Sequence, residues 1–154
     1  MLNLENLDFL LFHYDEKWEI ENYSKLFKKA STLTNIDVQQ EILIEFLFNL
    51  SKKTSKKIII TTGTIDTKII KELKNSSNKI NEFLYEINLN DKKGYLLINE
   101  NFFSISHLIS KSSLFISCHG AFTHIASNYK IKILDVIEKN KTIHYSRITK
   151  HMKN

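Results

Sequence analysis

LFISCHGAFTHIASNYKIKILDVI, residues 114–137, is the stretch that decides the fold. An apolar run over 114–118 stops at small and polar turn residues. An amphipathic stretch of helical length follows over 122–129, and a second apolar run occupies 132–137. Neither run alternates cleanly between apolar and polar, which is how a strand buried on both faces reads. Two such strands joined by a helix predict a parallel β-α-β unit.

The same alternation extends outward from this unit. Residues 7–12 (LDFLLF) and 57–61 (KIIIT) predict buried strands, and 95–98 and 83–87 shorter ones. Residues 38–50 (VQQEILIEFLFNL) have helical length and a broad apolar face, while 67–74 and 104–111 predict shorter helices. Residues 75–79 read as a polar loop. The expected fold is α/β: a single doubly wound Rossmann-like domain over 1–154, with a mostly parallel sheet and helices on both faces. In such folds ligands bind beyond the carboxyl ends of the strands. That singles out the loops at 13–18, 61–64, 99–103 and 119–123.

Composition supports one globular domain. The chain has 154 residues, of which 42% are hydrophobic, enough for a core and too many for a disordered segment. The net charge is +5, but Arg147 is the only arginine and the lysines are scattered. Lys52, Lys53, Lys56 and Lys57 form the one dense group and read as a solvated helix end. Nucleic-acid readers lean on arginine and on basic stripes, so this pattern argues against nucleic acid. It leaves open contact of the lysines with a membrane surface. Cys118 is the only cysteine, which rules out a disulfide within the chain and suits a reducing compartment. The N-terminal residues carry acids where a secretory leader needs bases, so a cytoplasmic location is expected.

Three glycines occur in the chain, and Gly63 and Gly120 both fall just after expected strands. Glycine there permits positive φ or close approach of the backbone to a ligand; it also serves simply to shape a turn. Within 116–126 (ISCHGAFTHIA), the start of a helix offers free amides to a phosphate, and His119 and His124 can donate to phosphate oxygens. The plainer alternative makes His119 an exposed loop residue and His124 a structural one. In 58–66 (IIITTGTID), Thr61, Thr62 and Gly63 suit a phosphate or ribose, or else an ordinary helix cap. Cys118, His119 and His124 lack a fourth ligand at zinc spacing, so no metal is expected. Neither a P-loop nor a glycine-rich dinucleotide fingerprint is present, and no cofactor is expected.

The segment 116–126 resembles the signature of glycosyltransferase family 9, the heptosyltransferase-like family: Asp, Thr or Ser, Gly, two variable residues, His, a variable residue, Ala. The match rests on His124, Ile125 and Ala126 and on their spacing from the strand end. The helix over 104–111 followed by SSLFIS is similar to the family's lead-in. The sequence departs from the signature at His119, Gly120 and Ala121. The string His119-Gly120-Ala121 also resembles a motif of glycosyltransferase family 61. FHYDEKW, residues 12–18, resembles the loop after the first strand of the family's C-terminal domain, where a Lys and a Trp recur. The resemblance implies that Lys17 approaches the diphosphate of a nucleotide sugar; Trp18 packing as a core anchor beside a solvated Lys17 is the competing reading. Residues 58–66 resemble the second strand-loop, beside the nucleotide.

The resemblance implies half of a GT-B architecture, the donor-binding half. Such enzymes use two Rossmann-like domains, and this chain has room for one, so either the sequence is a fragment, or a separate N-terminal acceptor domain is its partner, or the domain serves as a binding module. The implied binding set is Lys17, Thr61, Thr62, Gly63, His119, Gly120, Ala121, Thr123 and His124, with the nucleotide sugar as substrate. The implied reaction is sugar transfer to a cell-surface glycan or lipid-linked saccharide. A non-catalytic nucleotide- or anion-binding domain remains the alternative.

Overall fold

The computed structural model describes residues 7–19 and 39–143. In chain order the elements are β1 (Phe9–Tyr14), a 3-10 turn (Glu16–Trp18), α1 (Gln40–Lys53), β2 (Lys57–Thr62), α2 (Lys68–Asn75), β3 (Asn78–Lys79), β4 (Leu84–Leu89), β5 (Lys92–Leu97), α3 (Phe102–Lys111), β6 (Leu114–Cys118), α4 (Ala121–Ala126), β7 (Lys132–Val136) and a 3-10 turn (Lys139–Lys141). Val38 and Arg147 lie outside the described residues.

One sheet contains all seven strands, in the order β3-β4-β5-β2-β1-β6-β7. β1 pairs in parallel with β2 on one side and β6 on the other, while β2 pairs with β5 and β6 with β7, again in parallel. Only β4 against β5 and β3 against β4 are antiparallel. The expected Rossmann-like α/β fold with a mostly parallel sheet is therefore the observed one. Leaving β1, the chain adds β2, crosses to the far edge at β3, comes back inward through β4 to β5, and then adds β6 and β7 on the other side of β1. The order reverses between β1 and β6, so the crevice such sheets offer to ligands opens where those two strands end.

Both faces of the central strands are buried, which explains why their sequences do not alternate. Phe9 and Leu11 of β1, Ile59 of β2 and Phe115 of β6 pack with Ile105, Leu108 and Ile109 of α3 and Ala126 of α4. Phe12 and Tyr14 of β1 and Ile58 and Ile60 of β2 pack with Leu43 and Leu47 of α1 and Ile69 and Ile70 of α2. Thr67 caps α2 by accepting from the Ile70 amide at 3.3 Å, and Asn101 caps α3 by accepting from Ser104 at 2.9 Å.

Several boundaries differ from the sequence reading. β1 runs over Phe9–Tyr14 rather than 7–12, so His13 is a strand residue and not a loop residue. Its polar atoms find partners inside the sheet: His13 Nδ1 lies 2.9 Å from Thr61 Oγ1, across the strand register. α4 stops at Ala126, well before residue 129. The loop expected over 75–79 contains β3, and β5 begins at Lys92 instead of residue 95. β4 and β5 form an antiparallel hairpin between the short edge strand β3 and the parallel strand β2. Lys92 and Lys93 are exposed, and Lys93 pairs with Glu86 across it at 2.7 Å, so the strand lacks the apolar run that marks the central ones.

Candidate functional site

The loop after β1 is organised by its buried residues. Trp18 is buried, donates from Nε1 to the His13 carbonyl at 3.1 Å, and packs on Phe12 and Tyr14. It is thus a core anchor, and it closes the 3-10 turn that carries Lys17. Asp15 caps that turn by accepting from the Lys17 amide at 3.1 Å. The same carboxylate holds the Lys17 ammonium at 2.9 Å, and the ammonium donates in addition to the His119 carbonyl at 3.3 Å. Lys17 is therefore not a solvated lysine: its side chain is 18% exposed and bridges the ends of β1 and β6.

Gly120 explains how the ammonium fits. Its φ is 177°, extended backbone, and no described glycine lies in the left-handed region. Of the two uses a glycine could have here, Gly120 supplies space and not a left-handed turn, since a Cβ there would overlap the Lys17 ammonium. Gly63 does the same on the β2 side, where a Cβ would overlap the Glu16 carboxylate and lie 2.8 Å from Asp15 Cβ.

The loop after β6 is held by β7. His119 is buried, not an exposed loop residue, and its Nδ1 lies 2.5 Å from Asp135 Oδ2. Thr123 is fully buried: its hydroxyl accepts from the Gly120 amide at 3.2 Å and donates to Asp135 Oδ1 at 3.4 Å. Thr123 therefore fixes the shape of the loop rather than facing a ligand. His124 is half-buried with its ring edge-on to His119 at 5.0 Å, and Ala121 is exposed. Burial pushes the Cys118 thiol up to about 12, so it is not a nucleophile at neutral pH.

Beside this bridge lies a cleft of about 450 Å³. The loop after β1 lines it with Asp15 and Glu16, the loop after β2 with Thr62, Gly63 and Thr64, and the loop after β5 with Asn99 and Glu100. Phe102, Ile105 and Phe122 form an apolar wall, with the two phenylalanine rings stacked at 5.5 Å. Burial raises the pKa of Asp15, with Lys17 opposing the shift. Burial, assisted by Lys17, lowers His13 to about 3. The 3.7 Å approach of His13 to Asp15 is consequently a contact of a neutral imidazole, not an ion pair.

Of the residues expected at the site, Thr62 and Gly63 line the cleft, and Lys17, His119 and Gly120 meet at the adjoining bridge. His124 joins them only through the His119 ring. Thr61 does not reach the surface; it is fully buried in β2 with its hydroxyl on His13. Asp135, hidden in an apolar strand, carries no signal in the sequence, while Glu16, Glu100, Phe102 and Phe122 fall within the loops singled out from the sequence but gain individual meaning only when three of those loops converge. Among the described residues no cluster of three or more His, Cys, Asp or Glu could hold a metal, and no helix is long and apolar enough to cross a membrane. No family model, curated protein or solved structure matches the chain.

Proposed function

We propose that this domain binds a nucleotide sugar and is the donor half of a glycosyltransferase, the acceptor half being a separate Rossmann-like domain. One observation carries this reading: the crevice between the ends of β1 and β6 is occupied by a lysine ammonium seated over a glycine, beside a cleft of nucleoside size. A diphosphate at the crevice meets a cation already oriented by Asp15 and the His119 carbonyl. A fixed cation gains in the transition state of glycosyl transfer, because negative charge builds on the departing nucleoside diphosphate. The lysine would then serve where other enzymes use a metal. The acceptor in this reading is a cell-surface glycan or lipid-linked saccharide, and polysaccharide biosynthesis the process. A lone buried thiol suits a reducing, cytoplasmic setting.

Lys17→Gln separates binding from folding. The amide can still donate to Asp15, so the buried carboxylate keeps a partner, but the charge is gone. A charge-assisted hydrogen bond contributes roughly 1.5–3 kcal/mol, so calorimetric affinity for nucleoside diphosphates should fall about tenfold to a hundredfold. The melting temperature should change little. Equal affinity in both proteins, or no binding by the wild type, contradicts the reading.

A further inference from the structure

We infer that Glu16 makes this site select ribonucleotides, by accepting a hydrogen bond from a ribose hydroxyl; the inference rests on the nucleotide reading above. Glu16 Oε2 is buried and has no hydrogen-bond partner among the described residues. The carboxylate is turned against Gly63, and the side chain lines the cleft. Buried polar atoms are almost always bonded, and one left unpaired carries a desolvation penalty until a partner arrives. A partner entering the cleft would draw the carboxylate off Gly63 and relieve that penalty.

The chemistry of that partner is restricted. A carboxylate only accepts, so the ligand must donate. The residue next to Glu16 is Lys17, whose ammonium sits 2.9 Å from Asp15, a residue that lines the cleft. A ligand reaching both places carries negative charge at one end and neutral donors at the other. A nucleoside diphosphate does so, with its phosphates at Lys17 and the ribose 2′ or 3′ hydroxyl at Glu16. The rest of the cleft agrees. Thr62, Thr64 and Asn99 supply neutral polar groups, and Phe102 and Phe122 offer flat apolar surface. Apolar walls with a few placed polar groups are the usual make-up of small-molecule sites.

A site built to bond a hydroxyl rejects the analogue lacking it, because the protein group is again left unpaired. The full chain should therefore bind ADP, GDP, UDP or CDP more tightly than the 2′-deoxy or 3′-deoxy counterpart, by about tenfold to a hundredfold for one of the two. In Glu16→Ala that preference should collapse to near parity. Affinity for the deoxy compound should stay where it was, and the melting temperature of the free protein should not fall. Glu16→Leu, of similar volume and unable to accept a hydrogen bond, provides the same comparison if the alanine variant does not fold. Equal affinity for ribo- and deoxynucleotides in the wild type overturns the inference and leaves the nucleotide reading intact. A preference that survives in Glu16→Ala also overturns it, by placing the selection elsewhere. Failure of every diphosphate to bind removes both.

Discussion

Lowering the pH from 6.5 to 3 is expected to destabilise this domain by up to about 5 kcal/mol through His13 alone, at 1.36 kcal/mol per unit of pKa shift. His13 is 2% exposed at the centre of the sheet, and burial depresses it from 6.5 to about 3. The unfolded chain therefore takes up a proton that the folded chain refuses. Its contribution is fully present above pH 6.5 and is lost as the pH falls through that window. Asp15 acts in the opposite sense. Its raised pKa favours the folded state below the ordinary carboxyl value, and that contribution is lost as the pH rises. It offsets part of the His13 effect. Urea unfolding from pH 7 to pH 3.5 should show a steep fall in stability for the wild type. His13→Asn, which can still bond Thr61, should flatten it. Parallel pH profiles for the two proteins would show that His13 is not the group responsible.

The two site glycines should respond differently to substitution, and Gly63→Val should have the larger effect. A side chain at Gly63 meets Asp15 at its Cβ and, at 3.1 Å, at its Cα, so the backbone after β1 must move. Overpacking of this kind typically destabilises by about 1–3 kcal/mol. It would also push the loops after β1 and β2 apart, and nucleotide binding should fall below detection. At Gly120 the obstructing atom is the tip of Lys17, which can swing away. Gly120→Ala should leave the melting temperature close to that of the wild type but displace the ammonium, weakening binding about as much as Lys17→Gln does. Loss of stability at Gly120 without loss of binding would mean that the lysine there is structural.

The fold was legible where burial dictates sequence. Leu114–Cys118 is read with its observed bounds because both faces of β6 are covered, leaving a run of apolar residues between polar turns. The sequence pattern ends β1 two residues early because its last residues, His13 and Tyr14, are polar in type yet find partners, His13 in Thr61 of β2 and Tyr14 in Glu19 beyond the 3-10 turn. The antiparallel hairpin carries its information in cross-strand pairs such as Lys93 with Glu86, which no local pattern records. At the site, sequence reached Lys17, Gly63 and Gly120, since the loops after central strands converge in this topology. It could not tell that Thr61 and Thr123 turn inward, because a threonine that caps or bridges has the same local signature as one that binds. Nor could it find Asp135, which reaches the loop after β6 only because β7 pairs with β6.

The proposed function places a nucleoside diphosphate at the carboxyl edge of the sheet, between the ends of β1, β2 and β6. Titrating the isotopically labelled full chain with a nucleoside diphosphate while recording backbone amide shifts tests it directly. Saturable changes are expected at Asp15, Lys17, Gly63, Gly120 and Ala121. Lys57 and Asn90, at the amino edge of the same sheet, should stay still. Changes confined to that opposite edge, or none at any concentration, would rule that site out.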